Sequence, residues 1–185
     1  FRIFKRYYGS LRHKRLSCFN YTPNKGMNKE EYINNLLSLK YKIQSLDWVH
    51  NVITLLDIPL LNNSNAPLQE RLESFVTLKD ENVDRERGFK EILNSPVFRN
   101  FVISEDGKTS GIIVYIKEDK NLDQIKDKDK IEIYKDHLKK KNHQNIIEIR
   151  KIIKSYENTG KIYLGGIPMI ADDMMTYIKN DIVVF

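Results

Sequence analysis

Alternating apolar and polar residues along the first third of the chain predict a β-α-β unit. The segment Leu16–Pro23 alternates aromatic with small polar residues and stops at a Pro-Asn-Lys-Gly turn, which predicts a strand. Asn28, with Glu31 three residues later, has the spacing of a capping box, and apolar residues then recur at helical intervals until about Leu46. Residues 49–58 are rich in β-branched and large apolar residues, which predicts a mostly buried strand.

The middle of the chain predicts an insertion followed by a β-hairpin. Residues 62–96 begin and end with turn-forming residues and contain two weakly apolar helical segments, which predicts a mostly helical insertion. Two β-rich runs, 97–104 and 111–118, flank Asp106-Gly107, a dipeptide typical of hairpin turns. The second arm of this hairpin is predicted to be a core strand.

The last third predicts a long helix, a strand and a terminal helix. Residues 123–156 are strongly charged, with a break left open at 137–145. One apolar stripe along this segment would cover a sheet face: Ile131, Tyr134, Leu138, Ile146, Ile149 and Ile153. Residues 161–168 predict the last strand. The helix after it is expected to open at Asp172-Asp173, because acidic residues in a first turn complement unpaired backbone N–H groups. Metal binding by this pair is disfavoured, because no third ligand is nearby in sequence.

The order of these elements predicts an α+β fold. The layout β-α-β, insertion, β-β, α-β corresponds to a ferredoxin-like split β-α-β (βαββαβ) arrangement, an antiparallel sheet with its helices on one face. We therefore expect a single domain over residues 1–185. Its core is assigned to residues 16–59 and 97–168, its mostly helical insertion to 62–96, and its outgoing helix to 170–185.

Composition narrows the function classes only slightly. The 185-residue chain is 41% hydrophobic and 30% charged, which is typical of a folded domain rather than a disordered one. A net charge of +6 permits contact with nucleic acid or anionic lipid headgroups, but lysines and carboxylates are interspersed except in two short basic clusters, 12–15 and 139–141. No nucleic-acid-binding motif accompanies these clusters. No run of residues reaches the roughly 18 apolar positions of a membrane span.

Residue types that carry catalysis are present, but they do not occur in catalytic patterns. The four histidines show no paired-ligand spacing and are expected on the surface: His13, His50, His137 and His143. Cys18 lacks a nucleophile signature and is expected to be a small core residue. Gly165-Gly166 lacks the third glycine of a dinucleotide site and is expected to bend the end of its strand. The alternating carboxylates of DQIKDKDKIE lack the glycine and glutamate of a calcium loop. We expect no enzymatic activity, no catalytic residue, no cofactor and no metal.

Several segments, taken in order, resemble one loop of a transporter family. They are FKRYYGS, NYTPN, VHNVITLLDIPLL, SPVFRNFVISEDGKTSGIIVYIKED and GKIYLGGIPMIADDMMTYIKNDIVVF. Together they are similar to the loop between the first and second transmembrane helices of bacterial RND-superfamily exporters, in the MMPL-like branch. The resemblance implies an extracytoplasmic porter-type domain of a bacterial inner membrane protein, facing the periplasm or the cell exterior. It also implies proton-driven export of hydrophobic or amphiphilic molecules, lipids among them.

The resemblance further implies partners and a coupling site. The partners would be the rest of the same transporter, namely its transmembrane helices and second porter domain, and a hydrophobic or lipid substrate. A homo-oligomer stays open, and no nucleic acid is expected. The helix that ends at Phe185 would continue into the bilayer, and the proton-carrying carboxylates would lie in membrane helices outside this chain. The joint that transmits helix movement to the sheet is expected at Gly165, Gly166, Ile167, Pro168, Met169 and Ile170.

Two alternatives from other classes stay open at this point. A stand-alone basic ferredoxin-like module could bind RNA, although its candidate sheet strands are aliphatic and only Tyr115 is placed to stack on a base. A small-molecule hydrolase would need a nucleophile paired with a base, and no pattern in the sequence supplies that pair.

Overall fold

A four-stranded antiparallel sheet organises the chain. The computed structural model describes residues 16–62, 76–117, 119, 121, 125 and 127–184. The strands are β1 (Leu16–Pro23), β2 (Val49–Ile53), β3 (Ser110–Ile116) and β4 (Gly160–Gly166), in the order β2-β3-β1-β4. The described helices are α1 (Glu30–Gln44), α2 (Arg85–Asn94), α3 (Lys128–Lys154) and α4 (Ile167–Val184), with a short 3₁₀ turn at Leu55–Asp57. The predicted α+β class with an antiparallel sheet is confirmed.

Strand β1 lies inside the sheet because it pairs with a neighbour on each edge. Phe19 stands opposite Ile112 on β3 and Leu164 on β4, and both pairings are antiparallel. The side of β1 that carries Phe19 and Tyr21 faces α1, since the rings of Tyr21 and Tyr32 lie 5.4 Å apart. Both tyrosines are buried there. The predicted bounds of this strand are confirmed.

Helix α1 covers that side of the sheet with a continuous apolar stripe. Its buried residues recur at helical spacing: Tyr32, Ile33, Leu36, Leu39 and Ile43. The predicted helix is confirmed, but the predicted capping box of Asn28 and Glu31 is wrong. The helix begins at Glu30 after Lys29, and no side chain caps it. The carboxylate of Glu31 lies instead 2.6 Å from the ammonium group of Lys25, so it does not reach back to the helix start.

The strand predicted over residues 49–58 ends at Ile53. The Leu56 N–H donates to the Thr54 hydroxyl at 3.2 Å, and the Thr54 N–H donates to the Asp57 carboxylate at 2.9 Å. These two bonds close the 3₁₀ turn, which carries Leu55 and Leu56 into the core. The apolar run therefore stays buried although it leaves the sheet.

The predicted hairpin is right only for its turn and its second arm, β3. The predicted first arm, residues 97–104, contains turns and two isolated bridges instead of a strand, and one of the bridges joins Ile103 and Ser110. The Phe101 carbonyl oxygen lies so close to Gly111 that a Cβ atom added there would be 2.8 Å away. This segment therefore covers β3 instead of extending the sheet. The turn at Asp106-Gly107 is present, with the Gly107 φ angle at 65°.

Helix α3 is continuous, so the break considered at residues 137–145 does not occur. Its second half packs against the domain, with Ile146 and Ile149 buried, and the indole N–H of Trp48 donates to Glu148 at 2.9 Å. Its first half is different, because none of the described residues 128–141 is buried. The predicted stripe is thus confirmed for the second half of α3, whereas Ile131 and its neighbours on the stripe stay partly exposed.

Two further predictions meet the structure in part. The described portion of the predicted insertion contains one helix, α2, and the other predicted helical segment falls largely on residues 63–75, outside the described residues. The strand predicted at residues 161–168 is β4, which ends at Gly166. The terminal helix was predicted to open at Asp172-Asp173, and this is wrong: α4 begins at Ile167, and its first turn contains no acidic residue.

Candidate functional site

The predicted coupling joint lies where β4 passes directly into α4. Gly165 and Gly166 are the last two residues of the strand, and Ile167 is the first residue of the helix, so no linker separates the two elements. Gly166 has a φ angle of 112°, a conformation that residues with a Cβ atom rarely adopt. Pro168 sits in the first helical turn, where its missing N–H leaves no internal helical bond unmade. The expected bend at the strand end therefore resides in Gly166.

Three polar contacts fasten the start of α4 to the middle of α3. The Asn142 side-chain amide donates to the Pro168 carbonyl oxygen at 2.8 Å. His143 Nδ1 lies 2.8 Å from Asp172 Oδ1, and Arg150 Nη2 donates to Asp173 Oδ1 at 2.7 Å. Asp172 and Asp173 therefore hold two helices together rather than cap a helix start.

The contact between His143 and Asp172 is the most enclosed of the three. The Asp172 side chain is 7% exposed, whereas that of His143 is half exposed. An ionised carboxylate only accepts hydrogen bonds, so Nδ1 of the histidine is assigned the proton. A buried carboxylate without a partner would be costly, which makes His143 a requirement for seating α4 in this position. His143 was expected on the surface, and its exposed side chain confirms this, but the sequence did not predict its contact with Asp172.

Helix α4 places its polar side against the domain and its apolar side outward. The contacts to α3 come from Asp172 and Asp173, and Pro168 is buried near them. Met175 is exposed next to the opposite side, and six further exposed large apolar residues follow spacings of three and four along it: Ile167, Ile170, Met174, Tyr177, Ile178 and Ile182. Asp181 is the one charged residue among the described residues on this side of the helix. A surface helix of a soluble domain ordinarily has the reverse orientation.

We call these six exposed apolar residues the outer stripe of α4. Every described side chain from Met174 to Ile182 is exposed, so this part of the helix projects from the domain without packing on it. Among the helices within the described residues, none combines the length and apolar character that crossing a bilayer requires.

The other candidates from the sequence lie apart from this joint. His50 and His137 are exposed as predicted, and His13 falls outside the described residues. Cys18 is half-buried instead of being a core residue, and burial raises the pKa of its thiol, which disfavours the nucleophilic thiolate. No group of three or more potential metal ligands occurs within the described ranges.

The sheet offers little to stack against RNA bases. Tyr115, the one aromatic residue predicted to be placed for stacking, is 6% exposed. Tyr163 on β4 is the exposed aromatic residue that the sequence did not single out, at 62%. It stands opposite Asn20 on β1, with Lys161 exposed two residues away on the same strand. One aromatic residue forms a poor platform, because RNA-binding sheets stack two or three bases.

A shallow depression of about 530 Å³ lies beside α2, lined by Ile58, Pro59, Phe98 and other residues. Glu91 on its wall is already engaged, because its carboxylate accepts the backbone N–H groups of Leu61 and Asn62 at 2.6 and 3.0 Å. This carboxylate therefore serves the local backbone and is not available to a ligand.

The sequence placed a strand end and the start of a helix at residues 165–170 but did not predict the contacts of this junction with α3. Asn142, His143 and Arg150 lie 23 to 29 residues from the groups that they contact. No motif links these residues, and only the crossing of α3 and α4 brings them together. No protein-family model matches the chain, and no curated protein matches it either.

Proposed function

We propose that this chain is the extracytoplasmic porter-type domain, between the first and second transmembrane helices, of a proton-driven RND-superfamily exporter. The observation that carries the proposal is the outward orientation of the outer stripe of α4. A helix that turns its apolar side away from its own domain needs lipid or another apolar surface to cover it. The resemblance of the sequence to the MMPL-like branch favours a membrane helix as the continuation of α4.

The finer fold assignment belongs to the same proposal. Two β-α-β crossings, β1-α1-β2 and β3-α3-β4, combine with the strand order β2-β3-β1-β4. Both observations support a ferredoxin-like split β-α-β core, the layout that the order of elements in the sequence predicts. Residues 62–96 are then the insertion into this core.

In this proposal α4 acts as a lever between the membrane and the sheet. A helix is stiff along its axis, and the start of α4 is joined to β4 without a linker. The contacts from Asn142, His143 and Arg150 would carry a displacement of α4 into α3, and β4 would carry it into the sheet. Rigid-body movement of the domain would open and close a path for a hydrophobic or amphiphilic substrate. The proton-carrying groups belong to the membrane helices, and the chain itself performs no chemistry.

The test is the membrane topology of the full-length protein that contains this chain. With Cys18 and every cysteine outside this chain replaced by serine, Lys108→Cys places a single thiol in the exposed turn before β3. A membrane-impermeant maleimide should label this thiol in intact bacterial cells. Labelling only after permeabilisation, or recovery of the full-length protein in the soluble fraction, would overturn the proposal. Salt-sensitive binding of single-stranded RNA by such a soluble protein would favour the RNA-binding alternative.

A further inference from the structure

A cluster of lysines on α3 precedes Asn142, the residue that contacts the first turn of α4. We call this first turn, residues 167–170, the root of α4. Lys139, Lys140 and Lys141 directly precede Asn142, whose side chain holds the Pro168 carbonyl oxygen. All three lysines are exposed. Lys139 pairs with Asp136 at 2.8 Å, whereas Lys140 and Lys141 make no ion pair with any described residue. Residues 136–141 contain three lysines and one acidic residue, Asp136, so this stretch of α3 keeps excess positive charge.

This cluster belongs to a half-helix that the domain does not use for packing. Residues 128–141 contain six lysines against three acidic residues, and none of them is buried. An amphipathic or protruding helix with excess positive charge is typical of a surface that meets an anionic partner.

Exposed apolar residues lie in the turn of α4 that is contacted by Asn142, the residue that follows the lysines. Ile167 is 82% exposed and Ile170 is also exposed, and both are in the turn that contains Pro168. Exposed lysines beside exposed apolar side chains match an anionic lipid surface, because the ammonium groups meet the headgroups while the apolar groups enter the interface. RNA would use the lysines but not the isoleucines.

We propose that Lys139–Lys141 and the exposed isoleucines at the root of α4 form a docking surface for anionic lipid headgroups. This inference rests on the proposed function, since it takes α4 as the element that leads into the bilayer. Ile167 and Ile182 are about 22 Å apart along the helix, so the contact would lay the outer stripe of α4 along the membrane surface and set the position from which α4 moves the domain.

Vesicle flotation of the 185-residue chain tests this docking surface. The chain should bind vesicles in which about a third of the lipid is phosphatidylglycerol, and should bind phosphatidylcholine vesicles at least about tenfold more weakly. The variant K139Q/K140Q/K141Q should lose at least about tenfold in affinity for the anionic vesicles. The variant I167S/I170S should bind them more weakly as well, while its binding keeps its dependence on salt.

A matched control removes the same charge elsewhere. Lys29, Lys108 and Lys154 are exposed and lie at the end of the sheet remote from Gly166. The variant K29Q/K108Q/K154Q should keep its affinity within about twofold. Equal losses in the two triple variants would overturn the inference, because the attraction would then come from net charge alone.

Equal binding to neutral and anionic vesicles, or no binding to either, would also overturn the docking surface. Neither result would touch the proposed function, because that proposal is decided by the labelling of Lys108→Cys in cells.

Discussion

Helices α1 and α4 are both amphipathic, yet they turn opposite sides toward the sheet. In α1 the apolar side is buried, with Leu36 and Leu39 inaccessible to solvent. In α4 the inward side carries Asp172 and Asp173, and the apolar side faces outward. Helical periodicity reveals that a helix has two sides, but it does not reveal which side meets the domain. Helix α1 therefore builds the core, whereas the described residues leave the apolar side of α4 uncovered.

The largest expected difference between the two helices concerns their apolar residues. Leu36→Ala in α1 should lower the free energy of unfolding by about 2–5 kcal/mol, because it leaves a cavity in the core. Ile178→Ala in α4 should change it by less than about 0.5 kcal/mol, because this side chain is already exposed. Urea denaturation of the 185-residue chain measures both. Similar losses in the two variants would mean that α4 packs like α1.

The next effect concerns the joint that gives α4 its orientation. Gly166→Ala should cost about 1–3 kcal/mol, because alanine is strained at a φ angle of 112°. Gly165→Ala is the matched control, since its Cβ atom would meet the Cys18 carbonyl oxygen at an ordinary 3.7 Å. The control should stay within about 0.5 kcal/mol of the wild type in urea denaturation. Equal stability of the two variants would contradict the assignment of the bend to Gly166.

A smaller effect is expected when the contact between Asp172, on the polar side of α4, and His143 is weakened. Asp172→Asn removes the charge that faces His143 and should cost about 1 kcal/mol of local stability. Amide hydrogen exchange in the first two turns of α4 should then accelerate about fivefold. Asp181→Asn removes an exposed carboxylate from the same helix and should leave these rates unchanged. Unchanged exchange in the Asp172→Asn variant would contradict the role of this contact in seating α4.

Helix α1 has an ionic contact of its own, and its effect should be visible in the pH dependence of stability. Burial raises the pKa of Asp57. Hydrogen bonds from Lys40 and the Thr54 N–H, together with the charge of Lys79, lower it by more, so the pKa lies below the ordinary 3.8. A lowered pKa in the folded state gives stability that is complete above pH 3.8 and is lost as the pH falls through the folded-state value.

The variant Asp57→Asn tests this sign. It should be less stable than the wild type at neutral pH, and the gap should narrow as the pH falls below about 3.8. Asp47→Asn is the control, because the exposed side chain of Asp47 forms no ion pair with the described residues. Urea midpoints measured from neutral to acid pH make the comparison. A gap that stays constant down to acid pH would show that Asp57 acts through its shape alone.

Local patterns were sufficient to predict the elements of the core. The bounds of β1, the buried stripe of α1 and the turn at Asp106-Gly107 follow from residue periodicity and turn chemistry, which act over a few residues. The wrong predictions come from competing local contacts. The Lys25–Glu31 pair took the place of a capping box, and the bonds between Thr54 and Asp57 ended β2 early.

Only those features of the site that involve neighbouring residues in the sequence were predictable. Gly165-Gly166 before a proline predicted the bend at the end of β4, because this signal is local, whereas the coupling role of the joint came only from the family resemblance. Its partners Asn142, His143 and Arg150 were not predictable, since they depend on where α3 crosses α4. The acidic pair Asp172-Asp173 has the composition of a helix start. Because it lies in the second turn of α4, it contacts α3 instead of capping the helix.

The most direct measurement is the environment of the outer stripe in the full-length protein reconstituted in lipid. A nitroxide attached through Ile182→Cys, in a Cys18→Ser background, reports its accessibility to oxygen and to a water-soluble nickel chelate by electron paramagnetic resonance. The account predicts that oxygen relaxes this label more strongly than the chelate does, and that a label at Lys108→Cys shows the reverse order. A label at Ile182→Cys that the chelate reaches as readily as the one at Lys108→Cys would contradict the claim that the apolar side of α4 faces lipid.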